Sequence, residues 1–126
     1  MSISVSVMSL HREHICLGIH RGALDRTLVT TEPPPRVMKR IRPVLDDMGV
    51  LVQVESEFRL RCIRRQQRRP DPVAVDAVDE VRFSVELTRL DGLHDTFSLD
   101  VRRLKGNLRS YKLLYDTLRQ RAANLL

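Results

Sequence analysis

Two short stretches concentrate basic side chains. Arg36, Lys39, Arg40 and Arg42 fall within seven positions, and Arg102, Arg103, Lys105 and Arg109 within eight. Guanidinium groups grip phosphate and carboxylate oxygens through paired N–H bonds, so the two stretches folded side by side would form an anion-binding surface. The chain has 19 arginines against three lysines. A compositional bias gives the same ratio, so the arrangement carries the argument and the count does not. A solvated face is the bland alternative for each cluster. Arg64, Arg65, Arg68 and Arg69, beside Asp71, read that way, as part of a polar loop.

Other chemistry finds little footing. His11, His14, His20 and His94 do not fall at an HxxxH or Cys-His ligand spacing, which argues against a metal site. Cys16 and Cys62 lie in alternating apolar segments and read as packing thiols in a reducing compartment, not as nucleophiles or a disulfide framework. The carboxylates of residues 70–100 occupy a loop or a polar strand face, with no pair set apart for acid–base work. No glycine-rich phosphate loop and no HRD or DFG motif occurs. The reading is therefore non-catalytic, with no cofactor. A chain of pI near 10.1 also suggests nucleic acid, yet all five aromatic residues fall on inferred apolar faces, leaving none to stack on bases. No specific nucleic-acid partner is expected.

The charge is segregated along the chain. The overall charge is +6; residues 33–69 and 101–126 each carry a net +6, residues 70–100 a net −6, and residues 1–32 balance. Such blocks create one-sign fields wherever the two basic segments meet. At 126 residues and 42% hydrophobic content, one core of mainly Leu, Val and Ile is the reading. No apolar run approaches the roughly 18 residues that span a bilayer. The opening MSISVSVMSL lacks the form of a signal peptide, so a cytoplasmic location is expected.

The elements that must position these residues follow from periodicity. Ser2–Val7 and Glu13–His20 alternate as strands, and Leu28–Thr30 is a short extended piece. Thr31 is the expected N-cap of a proline-led helix with Val37, Met38, Ile41, Val44, Leu45 and Met48 on one stripe, ending at Gly49. Pro43 predicts a kink or irregular turn inside it. Strands follow at Val50–Glu55 and Phe58–Cys62, with a polar connection over residues 64–80. Val81–Thr88 is the next strand, then an Asp91-Gly92 turn and a strand over residues 97–101. After Gly106, a last helix carries Leu108, Tyr111, Leu114, Tyr115, Leu118, Ala122 and Leu125 on its apolar stripe. This pattern predicts an α+β fold: an antiparallel sheet of four to five strands with two helices packed on one face.

Three stretches together resemble the kinase-associated-1 domain, found at the C-terminus of microtubule-affinity-regulating and maternal embryonic leucine-zipper kinases, with looser kin in AMP-activated kinases. They are EPPPRVMKRIRPVLDDMGV, FRLRC from Phe58 to Cys62, and VRRLKGNLRSYKLLYDTL from Val101 to Leu118. The similarity covers roughly residues 28–125, with the 64–80 insertion outside it; the domain is read at 28–126, leaving residues 1–27 as an extension or added strands. The resemblance implies a regulatory domain of a serine/threonine kinase. It would bind anionic phospholipid at the inner membrane surface and restrain the catalytic domain of the same kinase; the alternative reading of the basic face is docking on acidic patches of that catalytic domain or of a regulatory subunit. By motif position, lipid contact falls on Lys39, Arg42, Arg102 and Arg103, with Arg36, Arg40, Lys105 and Arg109 assisting. Pro43 departs from the family pattern, where another basic residue is common.

Overall fold

The computed structural model describes residues 17–65 and 80–126; the expected strand over Ser2–Val7, Cys16, and most of the 64–80 connection lie outside them. The fold class follows the sequence pattern. Strand β1 (Gly18–Ile19) leads through a 3-10 turn (Arg26–Leu28) into β2 (Val29–Thr30) and helix α1 (Pro34–Asp47). Strands β3 (Leu51–Ser56), β4 (Arg59–Arg64), β5 (Val81–Arg89) and β6 (Phe97–Lys105) follow, then helix α2 (Leu108–Ala123). The sheet order is β2-β6-β5-β4-β3, with antiparallel neighbours.

The short β1 is the exception to antiparallel pairing. It runs parallel to β5, Gly18 beside Thr88 and Ile19 beside Arg89. It occupies the length of β5 that β4 leaves free, because β4 pairs β5 only from Val81 to Glu86.

Register fixes which residues share a face, since successive strand side chains point to opposite sides. Val52, Cys62, Phe83 and Arg103 form one row across the sheet, and Val54, Leu60, Val85 and Val101 the next. This side meets the helices. Val37, Ile41 and Leu45 of α1 and Leu114, Leu118 and Ala122 of α2 join Leu60, Cys62, Phe83, Val85, Leu87 and Leu99 in one buried cluster. The other side carries Arg61, Ser84 and Arg102 in one row, and Arg59, Glu86 and Asp100 in another.

Helix α1 differs from expectation at both awkward points. Thr31 does not cap it: Pro33 takes the N-cap position with no side-chain bond, and Pro34 opens the helix. The hydroxyl of Thr30 accepts the Glu32 N–H instead, at 3.0 Å. Nor does Pro43 break the helix, which runs unbroken to Asp47. Pro43 is exposed, so the Lys39 carbonyl that loses its helical donor can turn to water. The helix ends as expected, with Gly49 at φ 74°.

Candidate basic docking surface

Helix α1 presents Pro35, Met38, Lys39 and Arg42 along one line, spaced at helical intervals beside the β3–β4 hairpin. With Val54, Glu57, Phe58 and Leu60 they enclose an open groove of about 490 Å³. Its floor is apolar because Met38, Val54, Phe58 and Leu60 all come from the core side of their elements. Val54 is nevertheless 58% exposed, for β3 is the sheet's outer strand and α1 does not cover it there. Lys39 and Arg42 stand on the rim, opposite a single acid, Glu57. The Nε of Arg42 is buried without a hydrogen-bond acceptor, and its nearest carboxylate, Asp46, is 3.8 Å away.

The charge of Arg42 is felt at the sheet as well. Burial pushes the Cys62 thiol up to about 12, and the positive charge of Arg42 only partly offsets that. Cys62 shares its row with Arg103, two strands away across Phe83, a separation of roughly 10 Å at ordinary strand spacing. Lys39, Arg42 and Arg103 thus belong to the helix-bearing side of the molecule.

Arg102 does not. It sits beside Ser84 on the opposite face and donates from Nη2 to the Arg21 carbonyl at 3.0 Å. Beside the length of β6 that β2 leaves unpaired, it also lines a pocket of about 420 Å³ with Arg21, Asp25, Asp100 and Tyr115 among others. The expected pairing of Arg102 with Arg103 on one surface is therefore divided by the sheet itself. Arg103 donates from Nη1 to the Gly106 carbonyl at 2.9 Å.

The assisting residues divide too. Arg36 and Arg40 share Glu32, at 3.3 and 3.9 Å, and Arg40 also donates to the Leu125 carbonyl at 3.0 Å. Such exposed pairs contribute little and leave both charges accessible. Lys105 stands beside Arg82 in the register, and Arg109 lies in the first turn of α2, where the Asn107 side chain caps the helix through the N–H groups of Arg109 and Ser110 at 2.8 and 3.2 Å. Among the described residues, no carboxylate lies within ion-pair distance of Lys39, Arg102, Arg103, Lys105 or Arg109.

Two polar constellations were not foreseen from the sequence. On the open face, Asp100 accepts from Ser98 Oγ and Thr88 Oγ1, both at 2.7 Å, and pairs with His20 Nδ1 at 2.8 Å. Thr88, Ser98 and Asp100 are all buried. His20 Nε2 lies 3.1 Å from the Gly22 carbonyl. The serine donates to the aspartate and not to the histidine, so this is a structural tie between the segment after β1 and the sheet, with no activated nucleophile. Second, Tyr115 donates to Asp25 at 2.5 Å and Tyr111 to the Val101 carbonyl at 3.1 Å. Burial raises both phenols; for Tyr115 the bond to Asp25 and its charge add to the rise. Asp25 is lowered: burial pulls its carboxyl up, but the bonds from Thr27 and Tyr115 outweigh it. The hydroxyls sit at the rim and the rings at the core, as their placement on the α2 stripe predicts.

Among the described residues no group of three or more His, Cys, Asp or Glu is gathered closely enough to hold a metal ion. No family model matches the sequence, and no curated protein does. The fold itself has a solved counterpart. It is similar to a chain in the crystal structure of the adenylate sensor from AMP-activated protein kinase in complex with 5-aminoimidazole-4-carboxamide 1-beta-D-ribofuranotide (ZMP). The TM-score is 0.60 at 11% identity, over 81% of this chain and 97% of that one. At that identity the likeness is one of fold: this chain is an α+β domain of the architecture found in that sensor.

Proposed function

We propose that this chain is a non-catalytic, kinase-associated-1-like regulatory domain of a serine/threonine kinase that docks on anionic phospholipid at the cytoplasmic membrane surface. The observation that carries the reading is the α1 groove, where an apolar floor is rimmed by Lys39 and Arg42 on the same side of the sheet as Arg103. A phospholipid offers both halves of what that surface lacks, an anionic headgroup and apolar carbon. Attraction to an anionic leaflet is worth about 1 kcal/mol per basic residue near it, so three engaged side chains give about 3 kcal/mol of reversible, salt-sensitive affinity. The shared architecture with a chain of a kinase's adenylate sensor supports a regulatory role beside a kinase. Co-sedimentation with phosphatidylcholine vesicles, with and without phosphatidylserine, tests the proposal. Binding should require phosphatidylserine and weaken with salt; equal binding to neutral vesicles contradicts it.

A second reading is favoured by the sheet edge. Strand β3 is terminal in the sheet order, and Leu51 and Val54 on it are more than half exposed. An edge that no described strand pairs can take a strand from another chain. The domain would then dock on its own catalytic domain, restraining it, or on a regulatory subunit. Adding the chain in trans to the catalytic domain tests this, with inhibition expected if the reading holds and unchanged activity if it does not.

A further inference from the structure

The turn between β6 and α2 has a feature that docking by charge alone does not use. Leu104 is 48% exposed and Leu108 66% exposed. Leu108 belongs to the apolar stripe predicted for α2, yet it stands in the helix's first turn and is not in the core. Leu104 is thrown outward by a bulge: Arg82 pairs with Lys105 and Phe83 with Arg103, so Leu104 is the extra residue on β6. Bulges of this kind re-aim side chains at strand ends.

Among the described residues, the surroundings of the two leucines are mainly cationic. Arg102, Arg103, Lys105, Arg109 and Lys112 are all exposed, and residues 102–112 contain no acid. The nearby Glu80 is engaged with Arg82 at 3.2 Å. The turn is also built to hold its shape. Gly106 has φ 123° and packs so closely on β5 that a Cβ there would lie 2.7 Å from the Glu80 carbonyl oxygen. Asn107 caps α2, and Arg103 bonds the Gly106 carbonyl.

We infer that the β6–α2 turn is a membrane-inserting tip: Leu104 and Leu108 enter the acyl boundary of an anionic bilayer while the surrounding cations hold the headgroups. Two exposed apolar side chains on a rigid turn, with cationic neighbours along the chain on both sides, match a fluid hydrocarbon layer beneath a negative surface. Arg103, which shares the helix-bearing side with Lys39 and Arg42, stands next to Leu104, so docking by that face brings the tip to the same headgroup layer. The inference rests on the membrane-docking reading above.

The chain has no tryptophan, so Leu108→Trp introduces a sole fluorescent indole. Leu93→Trp is the control, placed in the β5–β6 turn at the far end of the same hairpin, where Leu93 is 50% exposed. With phosphatidylserine-containing vesicles, the indole at position 108 should shift to the blue and be quenched by brominated acyl chains, while that at 93 should not. Leu104→Ser/Leu108→Ser should weaken vesicle binding about tenfold with thermal unfolding unchanged, both positions being exposed. If the chain sediments with the vesicles but neither indole is quenched, or the double serine variant binds as tightly as the parent, insertion is overturned and docking stands. If nothing sediments, docking and insertion fall together. Competition by a soluble acidic peptide without quenching would assign the tip to a protein partner and likewise overturn the inference.

Discussion

Arg102 and Arg103 are consecutive in β6 yet belong to opposite faces of the sheet, Arg102 beside Ser84 and Arg103 beside Phe83. The pair therefore does two jobs. Arg103 shares the helix-bearing side with Lys39 and Arg42, and Arg102 ties the segment after β1 to the sheet through the Arg21 carbonyl.

Single substitutions should separate those jobs. Arg103→Ser is expected to weaken binding to phosphatidylserine vesicles about fivefold, the worth of one cation near an anionic surface. Arg102→Ser should cost less affinity and instead speed amide exchange over Gly22–Asp25, whose anchor it removes. Vesicle titration and hydrogen exchange on the two variants check this.

The Cys62 side chain is fully buried, and burial holds its thiol at about 12. At pH 8 it should be almost entirely protonated and shielded, because the thiolate is the reactive form. In a Cys16→Ser background, labelling with a thiol reagent should be negligible in the folded chain and complete in denaturant.

Asp100 organises three side chains in a buried setting. Asp100→Ala leaves the Ser98 and Thr88 hydroxyls without their acceptor and unties His20, at an expected loss of about 2–4 kcal/mol in urea unfolding. Asp100→Asn keeps the shape and part of the bonding, so its loss should be smaller.

The Tyr115–Asp25 contact carries a pH signature at both extremes. Asp25 is held below its ordinary 3.8, so its contribution is present above that pH and lost as pH falls through the lowered value. Tyr115 is held above 10.0, so its contribution is complete below pH 10 and lost as pH rises toward the raised value. Tyr115→Phe should cost about 1 kcal/mol at neutral pH and flatten both flanks of the stability profile. Urea midpoints across the pH range check it.

Much of this was legible in the residues. The period of Val37, Ile41 and Leu45 defines α1, and the alternation of Val81, Phe83, Val85 and Leu87 defines the central strand, because burial of one face imposes those spacings. The same alternation applied to Arg102 and Arg103 separates them, since consecutive strand residues point to opposite faces. Pro43 and Leu108 were harder. The cost of Pro43 depends on whether the freed Lys39 carbonyl meets water, and the burial of Leu108 on whether the sheet extends beneath the first turn of α2. Both are facts of tertiary placement. So are the α1 groove, which needs β3 to project beyond its helix, and the contact of His20 with Asp100, eighty residues apart.

The central claim is that one face of this domain, and not its charge in general, recognises an anionic membrane. It is tested most directly by comparing Lys39→Glu/Arg42→Glu with Arg59→Glu/Arg61→Glu in binding to phosphatidylserine vesicles. The two variants change the charge equally but on opposite sides of the sheet. The reading predicts that the α1 pair abolishes binding while the β4 pair leaves most of it. Equal losses, or a larger loss from the β4 pair, contradict it.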